Sequence, residues 1–366
     1  MTPAAGTDAR GGPWRWTGHR LARDASTRHM AGMSHTQLPA GLPVIPVITT
    51  GPSFAIETLA VAGERTRALL DLATRHIPQS LLRVGDAVSR RWLVKSRNPH
   101  LAEIDAVAGW LKRPGAYFFT VNYEWGCTCR VAPAADHESA RLVRVLDWRT
   151  PGLGRYVIAA EVAAPAGRYV SLTWPGYTGV LQALAPGRFA AAINQAPMRK
   201  LGGGLRATDW AANRVRVWRH DHLPAAHLLR DVFETATNYA EARRRLVATP
   251  IAAPAIFSLA GLAPDDTCVI ERTEREASVH VGPRSAANHW QAHGWTGHGR
   301  GIDSHGRARS MDAIGAALDP DFAWLAPPVL NPLTRLVMVA SAAEGRLVAQ
   351  GYEPGGPATA PLVWQS

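Results

Sequence analysis

A chain of 366 residues with 46% hydrophobic content can bury a sizeable core and hold one large domain or two smaller ones. It lacks the run of roughly 18 apolar residues that a membrane-spanning helix needs, and it shows no secretory signal. Its three cysteines make no disulfide framework and suit a reducing compartment, so a cytoplasmic setting is expected, while the net charge of +11, nearly all arginine, would draw it toward anionic surfaces.

Residues 1–40 are rich in Gly, Ala, Arg, Thr and His without apolar periodicity, which predicts a disordered extension; Met30 or Met33 could be the true start. The run from Leu42 to Thr50, broken by Pro43 and Pro46, reads as an extended lead-in. From Ser53 to Arg113 the pattern is helical, with Phe54, Leu59 and Leu70 and then Leu101, Ile104, Ala108 and Leu111 recurring at helical spacing. Pro114-Gly115 breaks this pattern, and Ala116 to Asn122 reads as a strand. Residues 41–126 are thus expected to form a helical, propeptide-like segment, or the first layer of one domain, ahead of 127–366.

Downstream, short apolar runs at Tyr156–Val162, Tyr169–Trp174, Gly179–Leu184 and Phe189–Asn194 predict strands, with hairpin connections at Ala164–Gly167 and Ala185–Arg188. Leu223–Glu234 and Tyr239–Leu246 read as paired helices. Ala255–Leu259, Thr267–Arg272, Ala277–Val281, Arg335–Ala340 and Arg346–Gln350 return to strand. Strands, then helices, then strands again predict an α+β layered domain.

Two of the three cysteines fall in Cys127-Thr128-Cys129-Arg130-Val131, where strand periodicity puts Cys127, Cys129 and Val131 on one face. The next predicted strand, Leu142 to Trp148, carries Arg144 and Asp147. An arginine favours a thiolate and a carboxylate can hold an ammonium group, so this pair beside a cysteine suits a reactive thiol. The plainer reading is a small buried hydrophobe at Cys127 and an ordinary salt bridge between Arg144 and Asp147.

Cys127–Val131 followed by Arg144-Val145-Leu146-Asp147-Trp148 resembles the start of the catalytic subunit of acid ceramidase and N-acylethanolamine acid amidase, within the choloylglycine-hydrolase group of N-terminal nucleophile hydrolases. The likeness extends in order through Tyr177–Leu181, Pro186–Asn194, Leu229–Phe233, Tyr239–Ala242, Thr249–Phe257 and Pro328–Thr334. It implies a four-layer αββα sandwich, a small-molecule acyl amide as substrate, no cofactor, and an N-terminal segment that stays associated after cleavage at Gly126-Cys127. It further implies Asn288 as oxyanion donor, with Arg307 first and Arg309 second as the accompanying arginine. Where acid ceramidases carry a glutamate after the asparagine matching Asn194, this chain has Gln195.

A free thiol titrates near ~8.5 and needs a base. Once Cys127 is a chain terminus, its α-amine, with a pKa of roughly 7.7–8.0, can take the thiol proton, and Asp147 can orient that amine. Cys129 is the rival nucleophile. Trp174, Tyr177, Phe189 and Trp290 could line an acyl-chain cleft, with Asn194 beside it. The histidines at 289, 293, 298 and 305 fit no compact tetrahedral motif, so that stretch reads as a polar loop without a metal. Gly202–Gly204 reads as a loop.

Three functions remain open: a linear-amide hydrolase, an acyltransferase using the same thioester, and an inactive basic protein that docks on nucleic acid or membrane. The Gly126-Cys127, Arg144, Asp147 and Asn288 set disfavours the third, so no nucleic acid is expected, while peripheral contact with anionic membrane is retained.

Overall fold

Two sheets and the helices around them are built from residues 41–121, 124–201, 206–314 and 322–366 in a computed structural model of the chain. The first 40 residues, for which an extension is expected, lie outside the described residues, as do Asn122 and the Gly202–Gly204 run. In chain order come β1 (Val47–Thr50), α1 (Phe54–Thr74), α2 (Gln79–Lys95), α3 (Leu101–Leu111) and α4 (Ala116–Val121). The hairpin β2 (Trp125–Pro133) and β3 (Ala140–Trp148) follows, then the short α5 (Leu153–Tyr156). Next are β4 (Ile158–Val162), β5 (Tyr169–Thr173), β6 (Gln182–Ala185) and β7 (Phe189–Gln195). After them run α6 (Arg206–Arg219), α7 (Ala225–Thr235), α8 (Tyr239–Ala248), β8 (Ala255–Ala260), β9 (Thr267–Arg272), β10 (Ala277–Val281) and β11 (Arg284–Ala286). The chain closes with α9 (Ser304–Ala313), β12 (Thr334–Ser341), β13 (Arg346–Glu353), β14 (Gly356–Pro357) and β15 (Leu362–Gln365).

One sheet has the order β1-β4-β5-β6-β7-β8-β9-β10, and the other β11-β2-β3-β12-β13-β14 with β15 also on β13. β2 packs across β7, β8 and β9, so the sheets lie face to face. The core between them takes Cys127, Cys129 and Val131 from β2 and Leu142 and Leu146 from β3. The other face of the second sheet offers Val143, Val145, Val337 and Val339, covered by Met311 of α9 and by Phe322, Leu325 and Val329. α7 packs on β7, and α8 on β8 to β10. The order is therefore helix, sheet, sheet, helix: a four-layer αββα sandwich of the α+β class. Strands covered on both faces explain why β2 reads as an almost unbroken buried run.

The segment ahead of Cys127 is knitted into this body. β1 pairs in parallel with β4. The Glu103 carboxylate of α3 accepts from the Ala55 N–H at 2.7 Å and from Arg230 of α7 at 2.6 Å. Trp92 of α2 donates its indole N–H to the His220 carbonyl at 2.7 Å.

Two local expectations are corrected. Ala116–Val121 is helical, because Asp86 of α2 accepts from the N–H groups of Gly115 at 2.7 Å and Phe118 at 2.8 Å. Those donors have no partner inside a helix, so a neighbouring carboxylate starts the helix that an aromatic run alone would not specify. The polar stretch ending at His305 leads directly into α9, whose N-cap Asp303 accepts from the Gly306 N–H at 2.9 Å.

Candidate active site

β2 and β3 pair with Cys127 opposite Leu146 and Cys129 opposite Arg144, so both sulfurs and Arg144 share the face that looks between the sheets. Arg144 is buried, and each of its nitrogens is engaged. Nη2 donates to Cys127 Sγ at 3.0 Å, Nη1 to Asn194 Oδ1 at 2.7 Å and Cys129 Sγ at 3.3 Å, and Nε to Gln182 Oε1 at 2.7 Å. Every one of these partners is neutral or a thiol. A buried cation without a carboxylate beside it is costly, and it favours a negative charge on the Cys127 sulfur 3.0 Å away. Burial disfavours the Arg144 charge, but the two sulfurs more than offset this and its pKa is raised. Burial pushes the Cys127 thiol up to about 12, with Arg144 pulling the other way.

Gln182 was not a sequence-level candidate, since it lies on β6, 38 positions from Arg144, and meets it only when the two sheets pack. Its amide carbonyl fixes Nε while leaving the positive charge for sulfur. Replacing it with a carboxylate, Gln182→Glu, should neutralise Arg144 and raise the thiol pKa. The acid limb of the pH–rate profile should then move to higher pH by about one unit or more. An unmoved limb would mean that Arg144 does not tune the thiol.

The plainer reading of Arg144 and Asp147 as an ordinary salt bridge does not hold. Asp147 stands three residues from Arg144, and alternation puts the two on opposite faces of β3, so they form no salt bridge. Asp147 is held by Asn331 Nδ2 at 3.0 Å, Thr334 Oγ1 at 3.0 Å and Arg307 Nη1 at 3.3 Å. Asn331 and Thr334 belong to the Pro328–Thr334 signature, which now has a physical use: it positions this carboxylate. Burial raises the Asp147 pKa, with Arg307 opposing. Gly126 lies against Asp147, and a Cβ there would sit 3.2 Å from Gly301 Cα and 3.3 Å from Asp147 Cβ. A side chain before Cys127 would therefore need Gly301 and Asp147 to yield by a few tenths of an ångström.

α9 delivers Arg307 and leaves Arg309 exposed, which separates the two candidates by position. Arg307 Nη1 donates to the Cys127 carbonyl and to Thr128 Oγ1, both at 2.7 Å, and Nη2 donates to Asn288 Oδ1 at 3.0 Å. The same Asn288 oxygen accepts the Cys127 N–H at 2.7 Å, while Asn288 Nδ2 donates to the Gln195 carbonyl at 2.7 Å. Asn288 is itself anchored by Ser304 Oγ, which accepts its backbone N–H at 2.8 Å. Cys127, Arg144, Asp147, Asn288 and Arg307 thus converge around one residue from both faces of its strand. Cys129 is engaged otherwise, donating to Asn194 Oδ1 at 3.0 Å.

The aromatic candidates divide. Trp174 and Tyr177 line an apolar cavity of about 220 Å³ that also takes in Leu70, Val107, Phe119 and Trp148. Trp148 stacks on Trp125 at 5.2 Å, tying this cavity to the residue before Gly126. Phe189 is core, packed on Phe233 at 4.9 Å between centroids. Trp290 stands against Trp295 at 5.0 Å and lines neither this cavity nor the cleft described next. The side chain of Asn194 is spent on protein partners, its Nδ2 donating to the Ala286 and Ala287 carbonyls at 3.1 and 3.2 Å. It holds Arg144 and has little left for a ligand.

A second cleft, of about 110 Å³, lies on the other side of Glu124 and is lined by Trp125, Gln195, Asn213, Arg214 and Arg300. His298 pairs with Asp209 at 2.9 Å and His289 stacks on His305 at 3.7 Å. Among the described residues, no helix is long and apolar enough to cross a membrane.

No family model matches the chain. Acid ceramidase from Pan troglodytes is 33% identical over 105 residues, which is 29% of this chain and 25% of that protein. The chain thus spans about a quarter of the length of the curated relatives it matches. An N-acylethanolamine-hydrolyzing acid amidase ortholog from Caenorhabditis elegans superposes with a TM-score of 0.46 at 20% identity, over 59% of this chain and 93% of that one. A conjugated bile acid hydrolase from Clostridium perfringens gives 0.35 at 9% identity, over 66% and 97%. By sequence, that stretch of 105 residues is similar to the acid ceramidases.

Proposed function

We propose that the protein is a cysteine N-terminal nucleophile amidase that hydrolyses a linear N-acyl amide through a thioester on Cys127. The observation that carries this reading is the buried Arg144 guanidinium, which forms no salt bridge among the described residues and lies 3.0 Å from Cys127 Sγ. Asn288 and Arg307 meet the same residue from its backbone side.

Cleavage comes first in this account. Cys127 sulfur attacks the Gly126 carbonyl carbon and forms a carbon–sulfur bond, the carbon–nitrogen bond breaks, and the thiol proton passes to the nitrogen, which becomes a free α-amine. Water then hydrolyses the thioester, leaving a Gly126 carboxylate and a free thiol. In turnover the α-amine takes the thiol proton and the thiolate attacks the acyl carbon. Asn288 Nδ2, with one hydrogen on the Gln195 carbonyl, has a second for the developing oxyanion. The ammonium gives its proton to the leaving amine, and water releases the fatty acid. Asp147, beside Gly126, supplies the negative charge that holds the ammonium. The apolar cavity at Trp174 and Tyr177 suits the acyl hydrocarbon. The contacts of Glu103, Trp92 and β1 with the main body support a cut N-terminal piece that stays bound.

The test is a panel of long-chain N-acyl amides read by fatty-acid release, with an electrophilic acyl probe mapped by peptide mass. Release from at least one amide and an adduct on Cys127 are expected. An adduct on Cys129, or no release from any amide, would overturn the reading.

A further inference from the structure

Asn288 lies in a loop that runs between the two sheets. Before it, Ser285 and Ala286 of β11 pair with Arg130 and Cys129 of β2, the strand that carries Cys127. After it, Gln291 and Ala292 are held by Glu271 of β9, in the opposite sheet. Glu271 Oε1 accepts the Gln291 N–H at 2.7 Å, and Oε2 accepts from the Ala292 N–H at 2.6 Å and from His280 Nε2 at 3.1 Å. We propose that Glu271 is a positioning residue for the amidase reaction, setting where the Asn288 amide stands against the acyl carbonyl. The inference rests on the amidase reading above and adds to it a residue that acts only through Asn288.

Glu271 is 1% exposed, so its carboxylate must find its donors within the protein. It finds them in two successive backbone N–H groups and an imidazole, all outside its own strand. Each of those N–H groups needs an acceptor, and an ionised carboxylate offers acceptors alone. An amide of the same shape would turn its NH2 toward one of them.

The loop is also closed on itself. Gln291 Nε2 donates to the Ser285 carbonyl at 2.6 Å, and Gln291 Oε1 accepts from Arg284 Nη1 at 2.8 Å. The position of Gln291 is thereby carried to the leg that precedes Asn288. Ser304 and Asn194 hold residues 286–288 through the Asn288 N–H and the Ala286 and Ala287 carbonyls. Glu271 holds 291 and 292, so Asn288 is fixed from both sides. Asn288 Nδ2 spends one hydrogen on the Gln195 carbonyl, and the loop sets the plane in which the second points. A donor displaced by about 1 Å can cost about 100-fold in rate.

The experiment is a double-mutant cycle on the purified, processed protein, read by fatty-acid release. Glu271→Gln should lower kcat at least about tenfold while KM stays within about twofold, because the oxyanion forms only in the transition state. In an Asn288→Asp background no donor remains to be positioned, and Glu271→Gln should then change kcat by less than about twofold. A residue that merely supports the fold would cost the same factor in both backgrounds, and that additivity overturns the proposal. An unchanged kcat, or a loss confined to KM, overturns it as well. Should Glu271→Gln fail to fold, His280→Ala removes one donor to the carboxylate and must lower kcat at least about threefold at unchanged KM. No loss of kcat in that variant overturns the proposal. Each of these failures leaves the amidase reading standing, because the wild type still turns over. A wild type that hydrolyses no amide of the panel overturns both.

Discussion

Cys127→Ala is expected to abolish amide turnover and to leave the chain in one piece. The same sulfur serves both reactions in the proposed mechanism, so no partial activity should survive. The substitution removes one atom from a fully buried position, and Arg144 keeps Gln182, Asn194 and Cys129 as partners. The fold should therefore persist, as near-UV circular dichroism would report. Fatty-acid release by the variant at the wild-type rate would remove Cys127 from the mechanism. Cys129→Ala is the control, and it should keep most activity because Cys129 touches Arg144 only as one of four partners.

Asn288→Ala should lower turnover by about 10²–10³-fold, the usual loss when one oxyanion donor is removed. It also leaves the Cys127 N–H and the Gln195 carbonyl without their present partners, which costs about 1–3 kcal/mol for each buried group left unsatisfied. Rates must be measured well below the variant's Tm. Asn288→Asp separates the two effects, because it keeps an acceptor for Cys127 and Arg307 but loses the donor. Turnover in Asn288→Asp close to wild type would place the oxyanion donor elsewhere.

Much of the layered fold was legible because short apolar runs between turn residues mark strands covered on both faces. Cys127, Cys129 and Val131 were read onto one face, and Arg144 joins them there. The separation of Arg144 from Asp147 follows from strand alternation applied to a three-residue spacing, yet their proximity in sequence suggested a pair. α4 was misread because an aromatic run has no decisive period over six residues, and Asp86, from another helix, decides it. Arg307 was named by resemblance, but its choice over Arg309 needed the phase of α9, which turns one inward and the other to solvent. Gln182 and Ser304 lacked any local signal, and Asn331 was marked only through the Pro328–Thr334 likeness. Each earns its place through a partner distant in the chain, as Asn331 does with Asp147. Trp290 looked equivalent to Trp174 by residue type, and only packing set them apart.

The central claim is that Cys127 becomes a chain terminus. Intact mass of the purified wild-type protein under denaturing conditions tests it most directly. The account predicts two pieces, residues 1–126 and 127–366, that co-elute under native conditions, and a single uncut chain for Cys127→Ala. A wild type that hydrolyses amides at full rate as one unbroken chain would contradict it, since no α-amine would then exist at Cys127 to take the thiol proton.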